Sequence, residues 1–219
     1  MQTVLFDLDG TLIDHFSAIH LSIAHAQRSL GLPVSNYETV KKTVGGSLPV
    51  TLSKLIGKDN IPNALPYFHE YFDRVMLQKL SLLPGAEFLL ESLYAKGFQL
   101  AVFTNKYGKH ARAVLEHLKL SHFFELILGT DDSPYRKPEP EFTELALKKL
   151  GAHSATTCLI GDSPFDAEAA SAGNLKSYLV ATGSHTIEAL KSDTQADEVF
   201  QNLFELATKV FKIQAPKLL

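Results

Sequence analysis

From residue 84 onward, the sequence alternates short apolar runs with amphipathic segments, and this alternation limits the fold more than any other feature. The apolar runs at 98–103, 157–160 and 177–180 have the length and composition of buried strands. Segments with helical periodicity separate them, and glycine ends several of these segments. Strands that alternate with helices pair in parallel through crossover connections. The sequence therefore predicts an α/β fold, a doubly wound, Rossmann-like parallel sheet with helices on both faces.

The first predicted strand stands apart from the others along the chain. Residues 3–6 form an apolar, partly β-branched run, and the next strand pattern begins only near residue 98. Between them, residues 15–82 show helical periodicity and no strong strand pattern. We therefore predict a core made of residues 1–14 and 83–219, with an all-helical domain at 15–82 inserted after the first strand.

Charge and composition argue against several classes of partner. The chain has 219 residues, with 21 lysines and arginines against 24 aspartates and glutamates, so its net charge of −3 offers no basic surface for nucleic acid. No apolar run approaches the roughly 20 residues of a membrane span, and we expect no secretory signal. The single cysteine, Cys158, fits a reducing compartment and a buried core position. We expect a cytoplasmic protein, monomer or homodimer, whose partner is a small molecule.

Polar side chains follow three of the predicted strands, at the carboxyl end of each. They are Asp7 and Asp9, Thr104 and Asn105, and Asp162 and Asp166. In doubly wound sheets, ligands bind outside the carboxyl ends of the strands. Lys137, in a loop before Pro138, can balance the negative charge of these acids. We therefore expect all of these side chains to converge on one site.

The residue types of this set suit phosphate chemistry. Four carboxylates in one crevice repel each other unless a cation lies between them, and carboxylate oxygens are ligands that Mg²⁺ prefers. Thr104 and Asn105 can donate to phosphate oxygens, and the tight turn at Gly10 can direct backbone amides at an anion. Each feature also has a simpler explanation: a solvated Asp-x-Asp turn, a helix cap, and a solvent-exposed lysine at Lys137. The residues alone leave these alternatives open.

Taken together and in this order, the polar clusters resemble the four motifs of the haloacid dehalogenase-like phosphohydrolase superfamily. The motifs are Asp7-Leu8-Asp9-Gly10-Thr11, Thr104-Asn105, Lys137-Pro138, and Gly161-Asp162 with Asp166. The resemblance covers nearly the whole chain, including a helical insertion between the first two motifs. It is greatest to the phosphoglycolate phosphatase-like branch, which carries a small helical cap.

The resemblance implies a mechanism with three catalytic residues. Asp7 would be the nucleophile and would form an aspartyl-phosphate. Asp9 would protonate the leaving alcohol through a side chain kept free for proton transfer, and would then act as base for the attacking water. Lys137 would balance negative charge on Asp7 and on the substrate.

The resemblance also implies the ligands of a metal and of the phosphoryl group. Mg²⁺ would be held by the side chain of Asp7, the backbone carbonyl of Asp9, Asp162 and, directly or through water, Asp166. The phosphoryl oxygens would be held by Thr104, Asn105, Lys137 and Gly10. In this branch the cap sets substrate choice, which here points to Lys41, Lys42, Gly45 and Gly46, with hinges at Asp14-His15 and Leu83-Pro84.

The sequence thus predicts a Mg²⁺-dependent phosphatase that acts on a small phosphorylated metabolite, with phosphoglycolate as the candidate that the branch suggests. One alternative is a phosphosugar mutase of the same fold, similar to β-phosphoglucomutase, which returns the phosphoryl group to the sugar. The other is a non-catalytic doubly wound module that keeps the fold without the activity.

Overall fold

The computed structural model describes residues 2–214. Its main strands are β1 (Thr3–Phe6), β4 (Gln99–Phe103), β5 (Leu126–Leu128), β6 (Thr157–Gly161), β7 (Lys176–Val180) and β8 (Glu198–Phe200). They form one parallel sheet in the order β5-β4-β1-β6-β7-β8. Two short strands, β2 (Ile13–Asp14) and β3 (Ser81–Leu82), form a separate antiparallel ribbon. The predicted α/β fold is confirmed.

The first strand lies in the middle of the sheet. Phe6 of β1 pairs with Val102 of β4 on one side and with Ile160 of β6 on the other. Because the three strands are parallel and in register, the residues that follow them lie side by side at one edge. Every residue of β1 is buried, which explains why its sequence is apolar throughout and does not alternate.

Helices cover both faces of the sheet. They are α5 (Ala86–Ala95), α6 (Gly108–His117), α7 (Pro140–Leu150), α8 (Pro164–Ala172), α9 (Ile187–Asp193) and α10 (Leu203–Phe211). Val4 and Phe6 point to one face, where they join a core with α5, α6 and α10, and Leu5 points to the other, with α7 and α8. Cys158 is fully buried in the first of these cores, as predicted.

The inserted segment, residues 15–82, contains four helices. They are α1 (Phe16–Ser29), α2 (Tyr37–Lys41), α3 (Leu48–Ile56) and α4 (Ile61–Val75). Their apolar faces meet in a core of their own that includes Ile23, Leu52 and Phe72. The β2–β3 ribbon lies where this segment leaves and rejoins the rest of the chain, next to the predicted hinges. The division into two domains remains a prediction, which the separate apolar core supports.

Several elements differ from the sequence-based expectation. The apolar run at 123–128 also predicts a strand, but β5 is shorter, because Ser121–Phe123 forms a 3₁₀ turn that buries Phe123 in the core. Ser17 has the side chain of a helix cap, yet α1 already begins at Phe16, where Asp14 Oδ1 accepts a hydrogen bond from the Phe16 backbone N–H at 3.2 Å. Strand β8 and helix α9 were not predicted, and both are short. Within residues 2–214, every helix is too short or too polar to span a lipid bilayer.

Candidate active site

The structure brings the predicted site residues together at the carboxyl edge of the sheet. Asp7 follows β1, Thr104 follows β4 and Asp162 follows β6, and all three are buried. Lys137 reaches the same point from the loop before α7, and its side chain is only 1% exposed. The positions of Asp7, Thr104 and Asp162 follow from the sheet, because each comes directly after a strand that is fixed in register by its neighbours.

Lys137 is held between two carboxylates. Its Nζ lies 2.8 Å from Asp7 Oδ1 and 2.6 Å from Asp166 Oδ1. Burial alone lowers the pKa of Lys137, but the charges of Asp166 and Asp7 outweigh burial and hold that pKa above its usual value. The lysine is therefore a permanent cation beside Asp7. We call Asp7, Lys137, Asp162 and Asp166 the core network.

Asp166 lies in the first turn of α8 and has more partners than the sequence indicated. Its Oδ2 accepts hydrogen bonds from the backbone N–H of Asp162 at 3.2 Å and of Ser163 at 3.0 Å, and from Ser163 Oγ at 2.7 Å. Its Oδ1 binds Lys137. With both oxygens engaged, the side chain caps α8 and positions the lysine, and only Oδ1 keeps a lone pair for a further ligand.

Asn105 positions the lysine loop and was predicted to hold phosphate. Its Oδ1 accepts from the Lys137 backbone N–H at 2.9 Å, and its Nδ2 donates to the carbonyls of Lys137 at 3.1 Å and Gly45 at 3.2 Å. Both amide hydrogens are thus in use, and in this arrangement neither is available to a phosphate oxygen. A single amide that satisfies both backbone groups of Lys137 fixes the loop at that residue.

Gly10 also has a different role from the predicted phosphate contact. Its backbone N–H donates to the Ile13 carbonyl at 2.8 Å and is not available to an anion. The residue has φ +87°, and a Cβ there would lie 2.6 Å from Asp162 Oδ2, so glycine permits both the turn and the approach of the carboxylate. Among residues 2–214, no hydrogen bond uses the backbone N–H groups of Leu8, Asp9 or Asn105, which leaves them as the available donors.

Asp9 is paired, whereas the sequence analysis expected a free side chain. Lys106 Nζ lies 3.1 and 2.9 Å from its two carboxylate oxygens, and His15 Nδ1 lies 3.4 Å from Oδ1. Burial raises the pKa of Asp9, but the charge of Lys106 and the hydrogen bond with His15 outweigh burial and hold that pKa well below its usual range. We call Asp9, His15 and Lys106 the cleft-side group.

His15 and Lys106 were missed as site residues. His15 is fully buried; its Nε2 lies 2.6 Å from the Met76 carbonyl, and its Nδ1 lies 3.2 Å from Lys106 Nζ. From the sequence, His15 was predicted only as part of a hinge. Charge balance was the signal that could have found Lys106, because two acids end β1 and only one cation had been matched to them.

The acids of the core network could hold a metal ion. Ligand oxygens of Asp7, Asp162 and Asp166 lie within 4.8 Å of one another. Burial, opposed by Lys137 and reinforced by Asp166, raises the pKa of Asp7 to about 6, and burial together with Asp7 and Asp166 raises the pKa of Asp162 well above its usual value. Burial is the largest cause of both shifts, and the neighbouring carboxylates add to it. Three carboxylates face one ammonium group here, which leaves negative charge in excess. A set of hard oxygen donors with surplus negative charge fits a divalent cation such as Mg²⁺.

A cleft lies between the core and the inserted segment, directly above Asp7 and Asp9. The space between its walls, part of which is open solvent, is about 610 Å³. The inserted segment supplies mostly apolar and aromatic lining, from Ile19, Val44, Leu48, Phe68, His69 and Phe72. Gly45 and Gly46, which were predicted to affect substrate choice, also line it. The other two candidates do not, and Lys41 Nζ instead lies 5.0 Å from the centre of the Phe16 ring.

Two further acids, Asp131 and Asp132, lie shortly before Lys137 in the sequence and stabilise helix α6. The carboxylate of Asp131 accepts from the backbone N–H of Gly108 and, at 3.4 Å, of Lys109, at the start of α6. Asp132 pairs with Arg112 at 3.0 Å. Asp131 therefore caps the start of α6, and Asp132 holds Arg112 of the same helix.

Comparison with known proteins agrees with the geometry. The family model described as haloacid dehalogenase-like hydrolase matches residues 4–180. A probable phosphatase, IndB, from Dickeya dadantii is 33% identical over 195 residues, covering 86% of this chain and 85% of that protein. A phosphoglycolate phosphatase from Aquifex aeolicus is 32% identical over 183 residues, covering 84% and 86%. These names agree with the predicted class of enzyme, a phosphatase.

The solved structures agree as well. The crystal structure of a predicted phosphatase from Clostridium acetobutylicum superposes with a TM-score of 0.88 at 29% identity, covering 97% of this chain and 99% of that one. Family model, curated relatives and fold therefore all point in the same direction. The chain belongs to the haloacid dehalogenase-like hydrolase family, in its phosphoglycolate phosphatase-like branch.

Proposed function

We propose that the protein is a Mg²⁺-dependent phosphatase that hydrolyses a small phosphorylated metabolite through an aspartyl-phosphate on Asp7. The observation that carries the proposal is the position of Asp7, which lines the floor of the cleft and contacts Lys137 at 2.8 Å. The buried carboxylate is fixed in orientation, carries a cation on one oxygen, and faces the space where a substrate would enter. These are the requirements of an activated carboxylate nucleophile.

In the first step, a carboxylate oxygen of Asp7 attacks phosphorus and forms an acyl phosphate, while the bond from phosphorus to the ester oxygen breaks. Asp9, which Lys106 keeps ionised in this arrangement, must first take up a proton, and it then gives that proton to the departing alcohol. In the second step, water attacks the phosphorus of the acyl phosphate, Asp9 takes up the proton from that water, and the Asp7 carboxylate is released with inorganic phosphate. The two aspartates can divide these tasks because their partners differ: Lys137 contacts Asp7, and Lys106 with His15 contacts Asp9.

Donors at the site can position the transferred phosphoryl group. The Thr104 hydroxyl is buried at the cleft floor, where it accepts from the Lys106 backbone N–H at 3.2 Å and can donate to the Asp7 carboxylate or to a phosphoryl oxygen. We add the unpaired backbone N–H groups of Leu8, Asp9 and Asn105 to the predicted set. Lys137 supplies charge close to the reacting oxygens. Phosphoryl transfer depends mainly on such positioning and charge compensation.

The residues that would hold Mg²⁺ are Asp7 and Asp162, with the carbonyl of Asp9 as a further ligand and Asp166 as a weaker one. Within residues 2–214, no hydrogen bond ends on the Asp9 carbonyl, which supports this assignment. Asp162 accepts only long hydrogen bonds, at 3.3 Å from Thr11 Oγ1 and from the Ser184 N–H, and so retains lone pairs. When bound, the ion would reduce the repulsion between an anionic nucleophile and a phosphate dianion.

The inserted segment, in this proposal, is a cap that closes over the cleft and excludes water during the reaction. The cytoplasmic location and the monomeric or homodimeric state stay predictions. The substrate that the branch suggests is phosphoglycolate. No observation on the described residues favours a phosphosugar mutase or a non-catalytic module.

Replacement of the nucleophile tests the proposal. We expect Asp7→Asn to fold and to lose at least about 10⁴-fold in kcat, because the amide cannot attack phosphorus. Phosphate release from a panel of phosphorylated metabolites with Mg²⁺ measures this loss, and acid quench of the unaltered enzyme should trap the phosphorylated protein. The exposed Asp59→Asn is the matched control and should retain activity. Turnover by Asp7→Asn close to that of the unaltered enzyme would reject the assignment, and isomer formation without phosphate release would indicate a mutase.

A further inference from the structure

Lys106 faces the cleft and is not required by the proposed chemistry of Asp7. The residue follows the Thr104-Asn105 motif, and its side chain is 6% exposed. Its Nζ lies 2.9 Å from Asp9 Oδ2, 3.2 Å from His15 Nδ1 and 4.9 Å from the centre of the Phe72 ring. The ammonium group is thus placed beside the proton donor, at the boundary between the core and the inserted segment.

Lys106 differs in charge from the other residues that line the cleft. Among the described residues that line the cleft, it is the only lysine or arginine. The two histidines of the lining, His69 and His110, have pKa values lowered by burial and are neutral near pH 7. Lys137, the other cation of the site, is enclosed by Asp7 and Asp166. A ligand in the cleft therefore meets one positive side chain beyond the reacting group, that of Lys106.

Apart from Lys106, the wall of the cleft above the two aspartates is apolar or uncharged. Ile19, Leu48 and Phe68 present apolar surface. Thr51, His69 and Tyr107 offer hydrogen-bond partners that carry no positive charge. An anion placed at Lys106 gains a charge-assisted hydrogen bond in a site from which water is excluded. The lysine has a flexible stem, so its ammonium group can contact Asp9 and a ligand at once or exchange between them.

We propose that Lys106 binds a second anionic group, a carboxylate or a phosphate, on the leaving half of the substrate, so that the enzyme selects phosphate esters or anhydrides that carry such a group. The inference rests on the proposed function, because it takes Asp9 as the residue beside the leaving oxygen. Two successive hydrogen bonds, through Asp9, join that oxygen to Lys106 Nζ, and a third joins Nζ to the anion, each of them roughly 3 Å long. Because this path can bend, the second anion can lie within a few atoms of the ester oxygen.

Three phosphate compounds test the inference with Mg²⁺ present. 2-Phosphoglycolate carries a carboxylate, inorganic pyrophosphate carries a second phosphate, and ethyl phosphate has a neutral leaving group. We expect kcat/KM for at least one anionic substrate to exceed that for ethyl phosphate by about 100-fold, the value of a charged hydrogen bond. A preference for only one of the two anions supports the inference and identifies the anion.

Variants of Lys106 separate substrate binding from the positioning of Asp9. We expect Lys106→Met and Lys106→Gln to reduce the ratio of kcat/KM between anionic and neutral substrates towards one, and Lys106→Arg to retain most of it. Loss of Asp9 positioning alone would lower kcat for all substrates and leave the ratio unchanged. Lys109 is exposed and lies in the first turn of α6, shortly after Lys106 in the chain. Lys109→Met is therefore the matched control and should keep the ratio.

The outcomes for the two proposals are distinguishable. An unchanged ratio in both Lys106→Met and Lys106→Gln, with folding verified by circular dichroism, overturns the binding role of Lys106. Equal hydrolysis of ethyl phosphate and both anionic compounds by the unaltered enzyme overturns the selectivity and leaves the proposed phosphatase activity standing. Failure to release phosphate from any compound, by contrast, counts against the proposed function itself.

Discussion

Lys137 and Lys106 each contact an aspartate at the carboxyl end of β1, yet their surroundings differ. Lys137 lies wholly within the core: its ammonium group binds two buried carboxylates, and Asn105 holds both of its backbone polar groups. Lys106 lies at the cleft, where its neighbours include His15 and Phe72 from the inserted segment. The position of Lys137 is fixed within the core, whereas the contacts of Lys106 depend on how the inserted segment packs against the core.

The difference shows how one site can be rigid and adaptable at the same time. The core network holds Asp7, the proposed nucleophile, in a single geometry, as the proposed phosphoryl transfer requires. The cleft-side group contains side chains from both sides of the cleft, so we expect movement of the inserted segment to change the contacts of Asp9 but not those of Asp7. In the proposed mechanism, proton transfer can thereby be linked to closure of the cleft, while Asp7 stays in place. Each of the following predictions tests this contrast.

The largest effect is expected from Lys137→Met. Removal of the ammonium group leaves Asp7 and Asp166 buried without a counter-charge, which should lower the free energy of unfolding by about 3 kcal/mol and reduce kcat by about 10³-fold. Urea denaturation and phosphate release measure the two quantities. Lys176→Met removes a lysine from an exposed ion pair with Asp197 and should cost less than about 1 kcal/mol. Equal destabilisation by the two variants would show that the core network is not specially dependent on Lys137.

A smaller effect is expected from Gly10→Ala. The new Cβ would lie 2.6 Å from Asp162 Oδ2 at a residue with φ +87°, so strain and displacement of the carboxylate should act together. Gly97→Ala is the matched control, because Gly97 has φ +77° and nothing within 4 Å of the new Cβ. We expect each variant to lose about 1 kcal/mol of stability from the backbone conformation. Only Gly10→Ala should also weaken Mg²⁺ binding, measured by calorimetry, and equal Mg²⁺ affinity in the two would contradict the role given to Gly10.

The smallest effect concerns pH and the boundary between α4 and α6. Burial, with Asp73 acting in the opposite direction, lowers the pKa of His110 to about 4, and its Nε2 lies 2.7 Å from Asp73 Oδ1 of α4. The folded state favours neutral His110, so this contribution to stability is present above the unfolded pKa of roughly 6.5 and is lost as the pH falls towards 4.

When the pH is lowered from 7 to 4.5, we therefore expect the free energy of unfolding to fall by about 1 kcal/mol less in His110→Gln than in the unaltered protein. Urea denaturation at both pH values measures the difference. His117→Gln is a suitable control, since His117 lies at the exposed end of the same helix. An identical pH dependence for His110→Gln and the unaltered protein would show that His110 does not contribute to the loss of stability at low pH.

The sequence was sufficient for the parts of the site that follow strands. Asp7, Thr104 and Asp162 could be placed together because periodicity identified β1, β4 and β6, and parallel strands share one edge for their carboxyl ends. The inserted helices could be recognised from periodicity alone. Short elements such as β8 were not found, because three residues carry too little pattern to distinguish a strand from a loop.

The partners of each side chain could not be predicted. Asn105 has the chemistry of a phosphate ligand, and only the position of the Lys137 backbone shows that its amide is already in use. Asp166 has the chemistry of a metal ligand, yet three donors at the start of α8 surround one of its oxygens. Residue type and spacing indicate which groups are near each other, but competition among neighbours decides which contacts form.

The β2–β3 ribbon has a consequence for how such a chain can be built. Ile13 pairs with Leu82 and Asp14 with Ser81, so the two ends of the inserted segment face each other across an antiparallel pair. Facing residues of such a pair have Cα atoms about 5 Å apart, a gap that a two-residue turn closes. The path of the chain from β1 to α5 is therefore the same whether that gap is closed by four helices or by a tight turn. We therefore expect that the inserted segment can be replaced by another at this junction without any change in the order of the strands.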